Sequence, residues 1–271
     1  MSAPAPALQK RLPDDASAIA ANDAVMRRIE AVAERFACDG AFEDAAACAQ
    51  IASWVGWMNH PGRFASATLE ATLRAAAPTL PAAPSPHAPT ADPRRVLHVL
   101  TEGYATGGHT RLAWRWMLAD AGRVHALALT RHRPVPSSLL EAVAARGGVP
   151  VDLPRPEATL LERAARLRTL ATEYDLVLLH VHPDDPVPSI AFGGGASRPP
   201  VVFVNHADHC YWLGRDTADL VVSHRNLGSK MAREQRGVPA SRTALLPLPL
   251  HGAAVASAAD RSSARERLGI R

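Results

Sequence analysis

The sequence predicts an α/β fold, a parallel β-sheet with helices on both faces, preceded by a small α-helical region. Three observations carry this. After residue 94, short β-branched apolar runs alternate with stretches of helical periodicity. The runs are apolar at nearly every position, as strands covered on both sides are. The first run passes through a loop with Gly103, Gly107 and Gly108 directly into a helix.

Taken in order, residues 1–13 are a proline- and alanine-rich tail. Asp14 or Asp15 caps a first helix with an apolar stripe of Val25, Ile29, Val32 and Phe36, and Asp39-Gly40 stops it. A second helix runs from Phe42 through Ile51 towards Trp57. Asn59-His60-Pro61-Gly62 breaks it, and a third helix spans 64–76. Residues 1–77 thus read as a helical cap or interaction region. The segment 78–93, rich in proline and alanine, is a semi-rigid linker and the clearest domain boundary. Residues 94–250 follow as a Rossmann-like domain. Its strands are expected at 96–100, 124–129, 149–153, 176–180, 201–205, 220–223 and 243–246. Its helices are expected near 109–119, 137–146, 160–173, 187–192 and 227–236. Residues 251–271 read as a linker.

Composition narrows the function. Hydrophobic residues make up 47% of 271, ample for a core, while aromatics are only 5%. The net charge is +4, but the arginines are scattered among acids and no basic run interleaves with aromatics. That excludes an obvious nucleic-acid surface and argues weakly for an anionic ligand. Cys38, Cys48 and Cys210 form no C-x-x-C pair and read as reduced thiols of a cytoplasmic protein. No stretch has the apolar core of a signal peptide or the roughly 18 residues of a membrane span. Docking to a membrane surface stays open.

The strand, glycine loop and helix start at 96–109 make a place for an anion, because the first helical amides have no intrahelical partner. The glycines do not spell G-x-G-x-x-G, and the second strand ends in Leu129-Thr130-Arg131 without a ribose-binding acid. Both features argue against a nicotinamide enzyme. In parallel sheets ligands bind at the carboxyl ends of strands. Three such ends carry polar clusters: the glycine loop with His109; His180-Val-His182-Pro-Asp184-Asp185; and Asn205-His206-Ala-Asp208-His209. Five of the twelve histidines fall on these loops.

On these residues the chain resembles the N-terminal half of a GT-B-fold, family-4-like bacterial glycosyltransferase. VLHVLTEGYATGGHTR is similar to that family's first strand and glycine loop, and DLVLLHVHPDDPVPSIAF to its D-h-h-H-x-H strand. PPVVFVNHADHCYWL resembles the strand ending in a histidine at the reaction centre, and ADLVVSHRNLGSKMAREQRGVPASRTALLPLPL the run into the interdomain linker. The resemblance covers about 94–271. It implies sugar transfer from a nucleotide-sugar donor to a hydroxyl acceptor, without metal or other cofactor. It implies His206 and His109 as catalytic residues. Gly107, Gly108, Thr110, His182, Asp208 and His209 become substrate-binding residues. It also implies a second, donor-binding domain. The chain ends at SSARERLGIR, so the isolated chain is expected to be inactive, with a partner chain as one source of that domain. Two rival readings stand beside it. His182-Pro-Asp184-Asp185 is similar to the H-P-D-D of zinc-dependent sugar deacetylases, although Pro186 stands where that family has glutamate. A non-catalytic carbohydrate- or protein-binding module is the other.

Overall fold

The structure, a computed structural model, describes residues 15–86, 90–153, 158–194, 198–248 and 258–270. The expected N-terminal tail, the Asp14 cap and the first part of the 251–271 linker lie outside the described residues. Seven strands form one sheet: β1 (Arg95–Leu100), β2 (Val124–Leu129), β3 (Pro150–Asp152), β4 (Leu176–His180), β5 (Val201–Asn205), β6 (Leu220–Ser223) and β7 (Thr243–Leu245). Their order is β3-β2-β1-β4-β5-β6-β7 and every neighbouring pair is parallel. This is the Rossmann-like sheet that the sequence predicts. The order reverses between β1 and β4, so their carboxyl ends flank the crevice where such sheets bind ligands.

Alternation along the strands sorts the two faces. Leu100, Leu127 and Leu129 meet α4 (Gly108–Ala119) and α5 (Ser137–Ala145) on one face. Leu97, Val99, Ala126, Val177, Leu179, Val201 and Phe203 meet the other face. There α6 (Leu160–Ala171), α7 (Val187–Phe192) and α8 (Asn226–Glu234) cover the sheet. A last helix, α9 (Ala258–Arg267), lies within the segment read from sequence as a linker.

The N-terminal region forms α1 (Asp15–Cys38), α2 (Phe42–Met58) and α3 (Ala67–Ala76). Two details differ from the sequence reading. The buried stripe of α1 is Met26, Glu30 and Ala33, one position on from the apolar set, and Val25 is exposed. Glu30 can take an inward position because Arg63 meets it with two parallel bonds of 2.8 and 2.7 Å, a pairing that offsets desolvation. Helix α3 starts at Ala67 rather than at Phe64, where the Ser66 hydroxyl accepts from Leu69 N–H at 3.2 Å and caps it.

The break in composition at 78–93 is not a break in the core. Met26, Ala46, Leu69 and Leu73 belong to the same buried cluster as the strand residues of the helix-rich face. Two carboxylates add polar ties. Glu43 of α2 accepts from the first amides of α6, Leu160 at 2.7 Å and Leu161 at 2.9 Å, where a negative charge also meets the positive end of the helix dipole. Glu70 of α3 accepts from Gly214 and Arg215 N–H at 2.7 and 3.1 Å, both on one oxygen.

Burial pushes the Glu70 carboxyl up to about 7, outweighing the amide bonds that favour its anion. A raised pKa means that the neutral form suits the folded state. Its contribution is full below 4.5 and declines as pH rises through about 7. Glu70→Gln keeps one accepting oxygen and carries no charge. It should match the parent in urea unfolding near pH 4.5 and exceed it at pH 8.5. Glu70→Ala strands two buried amides and should cost more than about 2 kcal/mol at both.

Candidate functional site

The crevice is held by a knot of buried side chains. Thr101 and Thr130 are the first residues past β1 and β2, and both hydroxyls donate to Asp185 Oδ2, Thr101 at 2.6 Å. Asp185 Oδ1 accepts from Val187 N–H at 3.1 Å at the start of α7. Thr101 Oγ1 in turn accepts from His182 N–H at 2.8 Å. One carboxylate therefore ties the carboxyl ends of three adjacent strands and sets the His182 backbone. Its neighbour Asp184 pairs with Arg131 at 2.7 Å.

Upon this frame three of the predicted histidines converge. The ring centroids of His109 and His206 lie 5.2 Å apart and stacked, and those of His109 and His182 lie 5.3 Å apart, edge to face. Hydrogen bonds to main-chain oxygens fix two tautomers, since a carbonyl can only accept. His206 Nδ1 lies 3.2 Å from Val204 O and so carries the hydrogen, leaving Nε2 as an acceptor. His109 Nε2 donates to Glu102 O at 3.2 Å, leaving Nδ1 as an acceptor. Gly107 is the N-cap of α4, and a Cβ on Gly108 would meet nothing within 4 Å. The Thr110 side chain is buried. Its hydroxyl accepts from Tyr104 N–H at 3.0 Å and folds the glycine loop back on the helix start.

Asp208 and His209 are not brought to this cluster. Asp208 meets Arg225 with both oxygens and lies against Gly228. The His209 side chain is 74% exposed and 3.8 Å from Asp208. In their place stand residues that the sequence reading does not single out. Tyr104 stacks on His182 at 5.8 Å, and Trp57, near the end of α2, reaches the same ring at 5.7 Å. Buried Glu102 accepts from Tyr104 Oη at 2.9 Å and from Arg133 at 2.7 Å. Tyr104 shows in the sequence as an aromatic within a glycine loop. Trp57 carries no such signal, because on α2 it reads as an ordinary helix residue. A groove of about 590 Å³ begins at Gly108 and follows α4 past Arg111, Arg115 and Trp116 to Asp120, with Leu246 and Leu248 opposite.

The acids of the His-Pro-Asp-Asp motif are engaged as described, Asp185 by three donors and Asp184 by Arg131. Among the described residues no group of three or more His, Cys, Asp or Glu side chains is arranged to hold a metal ion.

No family profile matches the sequence, and no curated protein matches it either. Among solved structures the chain is similar to Anabaena Alr3699/HepE. In its complex with UDP the TM-score is 0.44 at 16% identity, and in its complex with UDP and glucose 0.44 at 17%. In the complex with UDP-glucose it is 0.42 at 16%. Each match covers 65% of this chain and 50% of that one, so the chain spans about half the length of HepE. No helix among the described residues is long and apolar enough to cross a membrane.

Burial holds the histidines neutral. It pushes His206 down to about 3 and His182 to about 4, with the neighbouring His109 adding to both shifts. His98, deeper in the sheet, falls to about 3 through burial and His125. A depressed histidine pKa means that the folded state resists protonation. Stability is full above the ordinary value of 6.5 and is lost as pH falls through it towards the folded values. At pH 5 each ring with a folded value near 3 costs about 2 kcal/mol. The opposing trend of the single group Glu70 is smaller than this sum. The urea midpoint should thus fall steeply between pH 7 and pH 5, and His206→Gln should flatten that fall.

Proposed function

We propose that this chain forms the acceptor-side domain of a glycosyltransferase that moves a sugar from a nucleotide-sugar donor to a hydroxyl acceptor. The observation that carries the reading is the meeting of His109, His182 and His206, from three separate loops, beside the glycine-rich start of α4 at the carboxyl edge of the sheet. The order of the sequence motifs is consistent with it. Leaving-group departure builds negative charge on a diphosphate, and the free amides at the start of α4 are suited to meet such charge. The open space at Gly108 leaves the backbone approachable from that side.

In this reading His206 Nε2 and His109 Nδ1 are lone pairs aimed at hydroxyl groups. A ring held as far down as His206 is a weak base. Its role is to orient the acceptor hydroxyl and the transferred sugar as a neutral hydrogen-bond acceptor, with proton removal left to another route. Tyr104 and Trp57 supply the aromatic faces that a sugar ring packs on, and the groove along α4 gives a longer acceptor room to extend. The donor sugar and the nucleotide are chosen by contacts beyond this edge.

The test is transfer of labelled sugar from a panel of UDP- and GDP-sugars to hydroxyl acceptors, by the protein in its native assembly. His206→Ala should lower kcat/KM by about 10²-fold, through lost orientation of the hydroxyl groups, with an unchanged unfolding midpoint at pH 8. Gly108→Val should leave folding intact, because its new side chain meets open space, yet impair transfer by shielding the amides. Full activity in both variants would remove this edge from the reaction.

A further inference from the structure

Behind the site lies a second set of histidines that the proposed chemistry does not use. His125 of β2, His98 of β1 and His180 of β4 stand on three adjacent strands, all on the face covered by α4, and none is exposed. His98 Nε2 is 2.9 Å from His125 Nδ1, and His98 Nδ1 is 3.1 Å from His180 Nε2. Trp116 of α4 covers the His98 and His180 rings, edge to face, at 6.3 and 6.2 Å. At one end His125 Nε2 faces Asp120 Oδ2 at 3.4 Å, and Asp120 is itself paired with Arg123 at 2.9 Å and partly open to solvent. Neither terminal nitrogen forms a hydrogen bond among the described residues: His125 Nε2 and, at the other end, His180 Nδ1 are both buried without a partner.

Three neutral rings joined by two nitrogen-to-nitrogen bonds have only two consistent proton arrangements, because each ring carries one hydrogen. In one, every hydrogen sits on Nε2. His180 then donates to His98 and His98 to His125, and the His125 hydrogen faces the Asp120 carboxylate. In the other, every hydrogen sits on Nδ1. His125 then turns a lone pair at a carboxylate oxygen, and His180 Nδ1 becomes a buried hydrogen without an acceptor. The charge of Asp120 disfavours the second arrangement, because it faces a hydrogen in the first and a lone pair in the second. Asp120 thus sets the tautomer of a ring two residues further along the row.

We propose that His180, His98, His125 and Asp120 form a proton relay of fixed sense, which presents the lone pair of His180 Nδ1 towards the histidine-lined edge of the sheet and delivers a proton accepted there to Asp120. The step balances. A proton bonds to His180 Nδ1, the Nε2 hydrogens of His180, His98 and His125 each move one place along, and Asp120 becomes a carboxylic acid. All three rings end neutral with their hydrogens on Nδ1, and the row returns to its resting arrangement when the proton passes back from Asp120 and leaves His180 Nδ1 for the departing group. No imidazolium need persist. Burial makes that species costly for His98 and His180; His125 adds to the cost for the first, and His98, His206, His109 and His224 add to it for the second. Around His125 stand Asp120, Arg123 and Arg146. These residues touch no substrate, so they are positioning and relay residues. Their use in catalysis rests on the transferase reading, whereas their proton arrangement does not.

Two measurements separate these claims. Nitrogen NMR of the full chain with labelled histidine reads the tautomers directly. His98, His125 and His180 should each show a hydrogen on Nε2 and a bare Nδ1, unchanged from pH 8 to pH 5.5. Finding the hydrogen on His180 Nδ1, or titration of any of the three near 6.5, overturns the row. In His125→Phe the His98 and His180 signals should move towards a mixture of both tautomers, and an unmoved His180 signal means that the row does not set it. If that variant does not fold, the parent spectrum still decides. Where the parent protein transfers sugar, Asp120→Asn should lower kcat at least about tenfold with little change in KM. Parent-like kcat in that variant would overturn the relay even with the tautomers as expected, and absence of transfer by the parent would instead count against the transferase reading.

Discussion

The site depends on a single buried carboxylate. Asp185 receives the hydroxyls of Thr101 and Thr130 and the amide of Val187, and so joins the ends of β1, β2 and β4 at the point where the sheet reverses its order. A carboxylate with three donors is satisfied even when sealed from water, and bonds to an ion are among the stronger ones in a protein. Removing it would leave two threonine hydroxyls and an amide without partners in the interior. The same knot fixes the His182 backbone through Thr101, and His182 in turn contacts His109, Tyr104 and Trp57. The geometry of the histidine cluster thus follows from how the strand ends are tied, more than from any contact among the histidines themselves.

The helical region is a structural partner of that edge. Glu43 and Glu70 fasten α2 and α3 to the amides of α6 and of the loop after β5, and Met26, Leu69 and Leu73 complete the core on that face. With α2 fixed in this way, Trp57 arrives against His182 and forms one wall of the site. Desolvation is the leading cause of the depressed pKa of each clustered histidine, and Trp57 contributes to the burial of His182. Helices that look like an appendage in the sequence thus supply one wall of the site.

Much of this was legible in the chain. All seven strands stand within one or two residues of the apolar runs that announce them, because a strand buried on both faces leaves a period-free apolar signature. The gathering of His109, His182 and His206 followed from the rule that loops at carboxyl ends share one edge. Other features were hidden for identifiable reasons. The inward face of α1 includes Glu30, which only a distant arginine, Arg63, makes tolerable. Asp208 and His209 share a loop with His206, but spacing cannot show that Arg225 claims Asp208. His98 and His125 interrupt apolar runs, and an isolated polar residue in such a run is the one sign that something is paired across the sheet. The partner of each lies on another strand, so the pairing is set by register and not by local sequence.

The central claim is that the three clustered histidines face a ligand carrying sugar hydroxyls and phosphate. Side-chain NMR of the histidines during titration with UDP-glucose and with free sugar acceptors tests it most directly, since it needs no turnover. The account predicts that His109, His182 and His206 respond together and saturably, while His60, held in the helical region beside Phe64, stays still. Saturable binding that leaves all three rings unmoved would contradict it.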